Sequence, residues 1–79
     1  MRIQVKLFDI FRDFFPPGAD VSDFWLDFQN EAKLGDIFSK LGIPENLPKV
    51  IICNNRVWEE NQVLKAGDVI AIFSPISGG

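Results

Sequence analysis

At 79 residues the chain is long enough to enclose one compact core and too short for two. Hydrophobic residues make up 47% of it, including eight Phe and two Trp, which excludes a disordered segment. A net charge of -3, no His and a single Cys exclude a phosphate-tracking basic surface, an ordinary zinc site and an intrachain disulfide.

Those exclusions leave nucleic acid and metal out of the expected partners, and the lone Cys53 fits a reducing cytoplasm. No apolar run approaches the roughly 20 residues that cross a bilayer, and the first residues alternate polar with apolar, unlike a signal peptide. The expectation is one soluble domain over 1–79 without a membrane partner, its last residues, 74–79, forming a flexible tail.

Ile3, Val5 and Leu7 alternate with Arg2, Gln4 and Lys6, the period of a half-buried strand. From Asp9 to Val21 the alternation stops, and Pro16-Pro17-Gly18 predicts a loop because paired prolines remove backbone donors. Phe11, Phe14 and Phe15 predict that this loop folds back on the core. Alternation resumes from Asp23 to Gln29, with Phe24, Leu26 and Phe28 facing one way and Trp25 the other, giving a second strand in a hairpin with the first.

Leu34, Ile37, Phe38 and Leu41 then fall at helical spacing. Asn30 suits the N-cap, Glu31 the first turn, and Gly42 and Pro44 the exit. Gly35 costs about 1 kcal/mol against Ala inside a helix, which predicts a close approach to the sheet there. Val50 to Cys53 reads as a third strand, Asn54-Asn55 as a tight hairpin turn, and Val57-Trp58 as a short fourth strand. After the Gly67-Asp68 turn, Val69 to Phe73 is apolar on both faces and asks for a central place, which parallel pairing beside the first strand supplies.

The fold class is therefore α+β: a mixed sheet of about five strands with one helix across one face, the β-grasp arrangement. Its predicted core is Ile3, Val5, Leu7, Phe24, Leu26, Phe28, Leu34, Ile37, Phe38, Leu41, Ile70 and Ile72.

Chemistry-bearing patterns are scarce. There is no His, phosphate loop or nucleophile elbow, so the chain is not expected to be an enzyme on its own. Cys53 lies in an apolar strand that favours the neutral thiol, and Glu59-Glu60 reads as a solvated turn. The terminus differs: Gly78-Gly79 presents a carbonyl without a side chain beside it, able to enter a narrow cleft. A carboxylate is inert to nucleophiles until an ATP-using partner converts it to an acyl-adenylate.

The run Leu64-Lys65-Ala66-Gly67-Asp68-Val69-Ile70-Ala71-Ile72-Phe73-Ser74-Pro75-Ile76-Ser77-Gly78-Gly79 resembles the ending of the molybdopterin synthase small subunit family. Thiamin-pathway sulfur carriers share the fold and the Gly-Gly, but Phe73 to Ser77 is closer to the molybdopterin type. Ser74 stands where that family more often has a first proline, and the segment Phe11 to Gly18 is not a hallmark of it. The resemblance implies a ubiquitin-like fold and a cycle in which Gly79 is adenylated by a ubiquitin-activating-type adenylyltransferase using ATP. Gly79 then receives sulfur as a thiocarboxylate, and Pro75, Ile76, Ser77 and Gly78 thread it into a sulfur-acceptor enzyme such as a molybdopterin synthase large subunit. No cofactor is expected on the carrier itself.

Carriers for thiamin, cysteine or homocysteine synthesis share these features, so the pathway stays open. A ubiquitin-like modifier that joins Gly79 to lysines, and an interaction domain with an inert tail, are the competing classes. Strand phase further predicts a docking face of Trp25, Phe73 and Phe8 with Arg2 and Lys6 at its rim, against the alternative that the Phe11 to Gly18 loop covers Trp25.

Overall fold

A computed structural model of the chain describes residues 1–57 and 62–75. β1 (Arg2–Leu7) has the predicted alternation, with Ile3, Val5 and Leu7 buried. β2 (Trp25–Asp27) pairs with it antiparallel, Ile3 opposite Leu26 and Gln4 opposite Trp25. This strand is shorter than the predicted Asp23 to Gln29. Main-chain bonds from the Val5 N–H to the Phe24 carbonyl (2.9 Å) and from the Phe28 N–H to the Met1 carbonyl (2.8 Å) carry the pairing just past its ends.

Between these strands the segment read as a loop contains a 3₁₀ helix, Asp9–Phe14. Its Phe11 is fully buried, and Phe14 and Phe15 pack on the core, so the loop does fold back as its phenylalanines demand. The regular turn itself is a correction, since sequence period alone does not distinguish one 3₁₀ turn from a loop.

α1 (Leu34–Leu41) buries Leu34, Ile37 and Phe38. It starts at Lys33 instead of the expected Asn30 cap: the Asp36 carboxylate accepts the Lys33 N–H at 2.8 Å. Glu31 accordingly lies before the first turn. The exit matches expectation, with Gly42 left-handed at φ 76 and the Ile43 N–H bonded back to the Phe38 carbonyl at 2.8 Å. Gly35 needs correction, because a Cβ there would meet nothing within 4 Å.

β3 (Val50–Cys53) turns through Asn54 (φ 52) and Asn55 (φ 70), the left-handed pair of a tight hairpin, into β4 (Arg56–Val57). The predicted fourth strand at Val57-Trp58 thus begins one residue earlier, at Arg56; Trp58 and the Glu59-Glu60 pair lie outside the described residues. β5 (Val69–Phe73) runs parallel to β1 and antiparallel to β3. Among the described residues the sheet order is β2-β1-β5-β3-β4, which puts β5 in the centre as its two apolar faces require.

The core lies between α1 and the inner face, where Ile3, Val5, Leu7, Leu26, Ile51, Cys53, Ile70 and Ile72 meet the helix residues. Phe24, Phe28 and Leu41, predicted as core, are only partly buried against it. They lie past the ends of β2 or at the last turn of α1. Among the described residues Asp68 is the buried polar one: its carboxylate accepts the Asn54 amide at 3.0 Å and the Lys65 N–H at 2.8 Å. These bonds fix the turn that launches β5, and satisfied buried acceptors of this kind make the turn rigid.

Candidate functional site

The predicted tail leaves the sheet at the end of its central strand, so the site is built from what surrounds Phe73 and Ser74. The last rung of the β1–β5 ladder is the Phe8 N–H bonded to the Ile72 carbonyl at 3.0 Å. The Phe8 and Phe73 rings stack there, 4.5 Å between centroids and 4° between planes. Beyond the rung, the Asp9 carboxylate accepts the Ser74 N–H at 3.3 Å. Asp9 itself is left-handed, with φ 56. Of the predicted tail, Pro75 is exposed and described, whereas Ile76, Ser77, Gly78 and Gly79 lie outside the described residues.

Strand register sorts the other predicted site residues. Gln4 faces Val69, Lys6 faces Ala71 and Ile52 faces Ala71 from the far side, so these outward side chains share the face opposite α1. Lys6, Phe8, Ile52, Val69, Ala71 and Phe73 line a shallow concavity on it. The structure therefore brings Phe8, Phe73 and Lys6 together beside the tail root.

Trp25 and Arg2 share the face but not that spot. Trp25 lies opposite Gln4, four positions before Phe8, or about 13 Å along the strand. It is 36% exposed and outside the core, with its indole N–H donating to Asp23 at 2.7 Å. Arg2 lies over the Trp25 ring at 5.9 Å and pairs with Asp27 at 3.2 Å. The phenylalanines of the Phe11 to Gly18 segment meet each other and Phe24, as Phe11–Phe14 and Phe15–Phe24 ring pairs, and pack on the core.

Sequence phase alone missed two contributors. Ile52 joins the concavity through its register with Ala71, and Asp9 reaches Ser74 across 65 positions of chain. The signal for Asp9 was available only in part: Asp tolerates the left-handed region and stands two residues past the end of β1.

Cys53 is fully buried, and desolvation, followed by the negative charge of Asp68, pushes its thiol up to about 11. A neutral thiol is a poor nucleophile. The native protein should resist thiol alkylation at neutral pH and react once unfolded, as mass spectrometry before and after denaturant would report. The linkage has a definite sign. An unfolded thiol titrating near 9.0 loses its proton before the folded one at about 11, so this contribution is whole below pH 9 and is lost as pH rises through about 11.

Among the described residues no group of His, Cys, Asp and Glu is arranged to hold a metal ion, and no helix is long and apolar enough to cross a membrane. A second concavity, lined by residues including Asp27, Glu31, Asp36 and Lys40, opens beside α1 near the Arg2 end of the sheet, away from Ser74.

The ThiS family model matches residues 5–79. Comparison with curated proteins finds no match to the chain. Among solved structures, SAMP1 from Haloferax volcanii is 20% identical with a TM-score of 0.72, covering 100% of both chains. A chain of the complex of subunits 1 and 2 of molybdopterin-converting factor from Helicobacter pylori 26695 is 25% identical at TM-score 0.62, again over 100% of both. The thiamine biosynthesis protein ThiS from Geobacter metallireducens is 16% identical at 0.63, with the same full coverage. These neighbours share the ubiquitin-like β-grasp fold, and with the family match spanning nearly its whole length the chain belongs to the ThiS family of ubiquitin-like sulfur carriers.

Proposed function

We propose that the chain carries sulfur as a thiocarboxylate on Gly79 and donates it in molybdopterin synthesis. The observation that carries the reading is the run Phe73-Ser74-Pro75-Ile76-Ser77-Gly78-Gly79 continuing from the central strand of a β-grasp sheet. The 25% identity, over full length, to a chain of the molybdopterin-converting factor complex supports this pathway. The match to the ThiS family favours thiamin synthesis as the second reading.

In the first step a Gly79 carboxylate oxygen attacks the α-phosphorus of ATP on an activating enzyme, and pyrophosphate leaves. Hydrosulfide-level sulfur then attacks the acyl carbon, AMP leaves, and the thiocarboxylate remains. On the acceptor enzyme that sulfur attacks an electrophilic carbon of the substrate, and the group it displaces departs with the electron pair of its bond to that carbon. Water cleaves the acyl–sulfur bond, leaving the sulfur on the product and the carboxylate on Gly79. The chain is a donor, or the small subunit of a transferase, and not an enzyme by itself; ATP belongs to the activating partner. A reducing cytoplasm suits a thiocarboxylate.

Intact-mass analysis of the protein from its native cell tests the reading directly. One terminal oxygen replaced by sulfur is the expected result, and the acceptor enzyme that takes the sulfur identifies the pathway. Conjugates to lysine that survive reduction would instead establish a modifier.

The Phe8–Phe73 stack and Lys6 are the proposed centre of partner docking, with Trp25 and Arg2 as a second contact on the same face. Aromatic anchors supply much of an interface's energy, so Phe8→Ala should weaken partner binding about tenfold or more. Trp25→Ala should weaken it less and change stability by under about 1 kcal/mol, because the ring is outside the core. Calorimetric titration with each partner, beside thermal melts, separates the two effects. A complex that leaves Phe8 and Phe73 in solvent would remove the patch without touching the tail chemistry.

A further inference from the structure

A parallel ladder has a fixed sequence of rungs. After the Phe8 N–H bonds to the Ile72 carbonyl, the next rung would run from the Ser74 N–H to the Phe8 carbonyl. That carbonyl instead accepts the Phe11 N–H at 3.0 Å, which starts the 3₁₀ turn. The chain meanwhile turns away at Asp9, whose φ of 56 prevents β1 from continuing. Ser74 therefore has a donor but no main-chain acceptor at the end of the ladder, and the Asp9 carboxylate, 3.3 Å away, takes its place.

We infer that Asp9 is a positioning residue that aims the functional tail at its root, by closing the final rung to Ser74 with a side chain instead of a carbonyl. The inference rests on the tail reading proposed above. Two demands meet at this position. The backbone must be left-handed, which narrows the choice to Gly, Asn or Asp, and of these Asn and Asp carry an acceptor.

The constraint passes outward. Ser74 precedes Pro75, which confines Ser74 to extended backbone and fixes the φ of Pro75. With its N–H tied as well, Ser74 sets the direction in which the chain leaves the Phe8–Phe73 stack. Fixing the root before docking raises the fraction of molecules whose tail is aligned with a partner's channel, which lowers the apparent KM and leaves the chemical step alone.

The variants follow from the two demands. Asp9→Gly keeps the left-handed turn and removes the acceptor, whereas Asp9→Asn keeps both. Ser74→Ala keeps the donor as well. In the full chain, Ser74 amide exchange followed by NMR should quicken about fivefold in Asp9→Gly and stay near wild type in Asp9→Asn. In ATP–pyrophosphate exchange with the cognate activating enzyme, Asp9→Gly should raise the KM for the carrier about three- to tenfold, with kcat within about twofold. Asp9→Asn and Ser74→Ala should remain close to wild type. Equal Ser74 exchange in wild type and Asp9→Gly would overturn the bond, and an unchanged KM with altered exchange would overturn the positioning role. A wild-type chain that no activating enzyme adenylates would overturn the sulfur-carrier reading and the positioning role with it, while the exchange measurement still reads the bond.

Discussion

Deleting Gly79, or extending the chain by one residue beyond it, should abolish sulfur loading while the domain melts as before. Adenylation needs a carboxylate at the place where the partner holds the α-phosphorus of ATP. One residue more or less displaces that group by about 3.5 Å. Misplacing a reacting atom by about 1 Å already costs on the order of a hundredfold in rate, so a shift this large takes loading below detection. The buried core of the described residues closes at Ile72, which is why stability should not follow activity. Gly78→Val should behave in the same way by crowding the partner's channel with a branched side chain. Intact mass after incubation with the activating enzyme, ATP and a sulfur source reads the outcome. An extended chain that loads sulfur at the wild-type rate would show that the terminal carboxylate is not the working group.

The sheet was legible in the sequence because each strand carries its own signal. Alternation located β1, and apolarity on both faces placed β5 at the centre, beside β1 and parallel to it. The Asn54-Asn55 turn and the Gly42 exit were readable for the same local reason, since their side chains or lack of one permit positive φ.

What the sequence hid depends on partners far away in the chain. Asn30 and Glu31 satisfy every local rule for starting a helix, yet α1 begins at Leu34. The Leu64 N–H bonds to the Ala32 carbonyl at 2.8 Å, and Lys33 bridges to Val63, so long-range pairing holds this stretch outside the helix. Trp25 was assigned the correct face, but its distance from Phe73 follows from strand order, with β1 between β2 and β5. Asp9 is the extreme case. Its value lies in the missing rung at the end of a ladder that no local pattern of residues 8–14 can reveal.

Phe11→Ala should be among the most destabilising single changes in the domain, at about 3–5 kcal/mol, comparable with Phe38→Ala. Both side chains are essentially inaccessible, at 0% and 1% exposure, so each truncation leaves a cavity the size of a ring. The sequence alone directs attention to Phe28 or Leu41 instead, but their partial burial limits what truncation removes. For a domain this small the loss approaches the whole of its stability, and it should lower Tm by about 12–40 °C. Phe14→Ala, at a half-buried ring 6.2 Å from Phe11, should cost clearly less. The comparison decides what the segment is for. A Phe11→Ala variant losing under about 1 kcal/mol would make the 3₁₀ turn a dispensable cover over the sheet. A full loss would make it part of the core, and would explain how Asp9, two residues earlier, is held firmly enough to meet Ser74. The same variant should then show faster Ser74 amide exchange under conditions where it remains folded, because the turn that places Asp9 is anchored through Phe11.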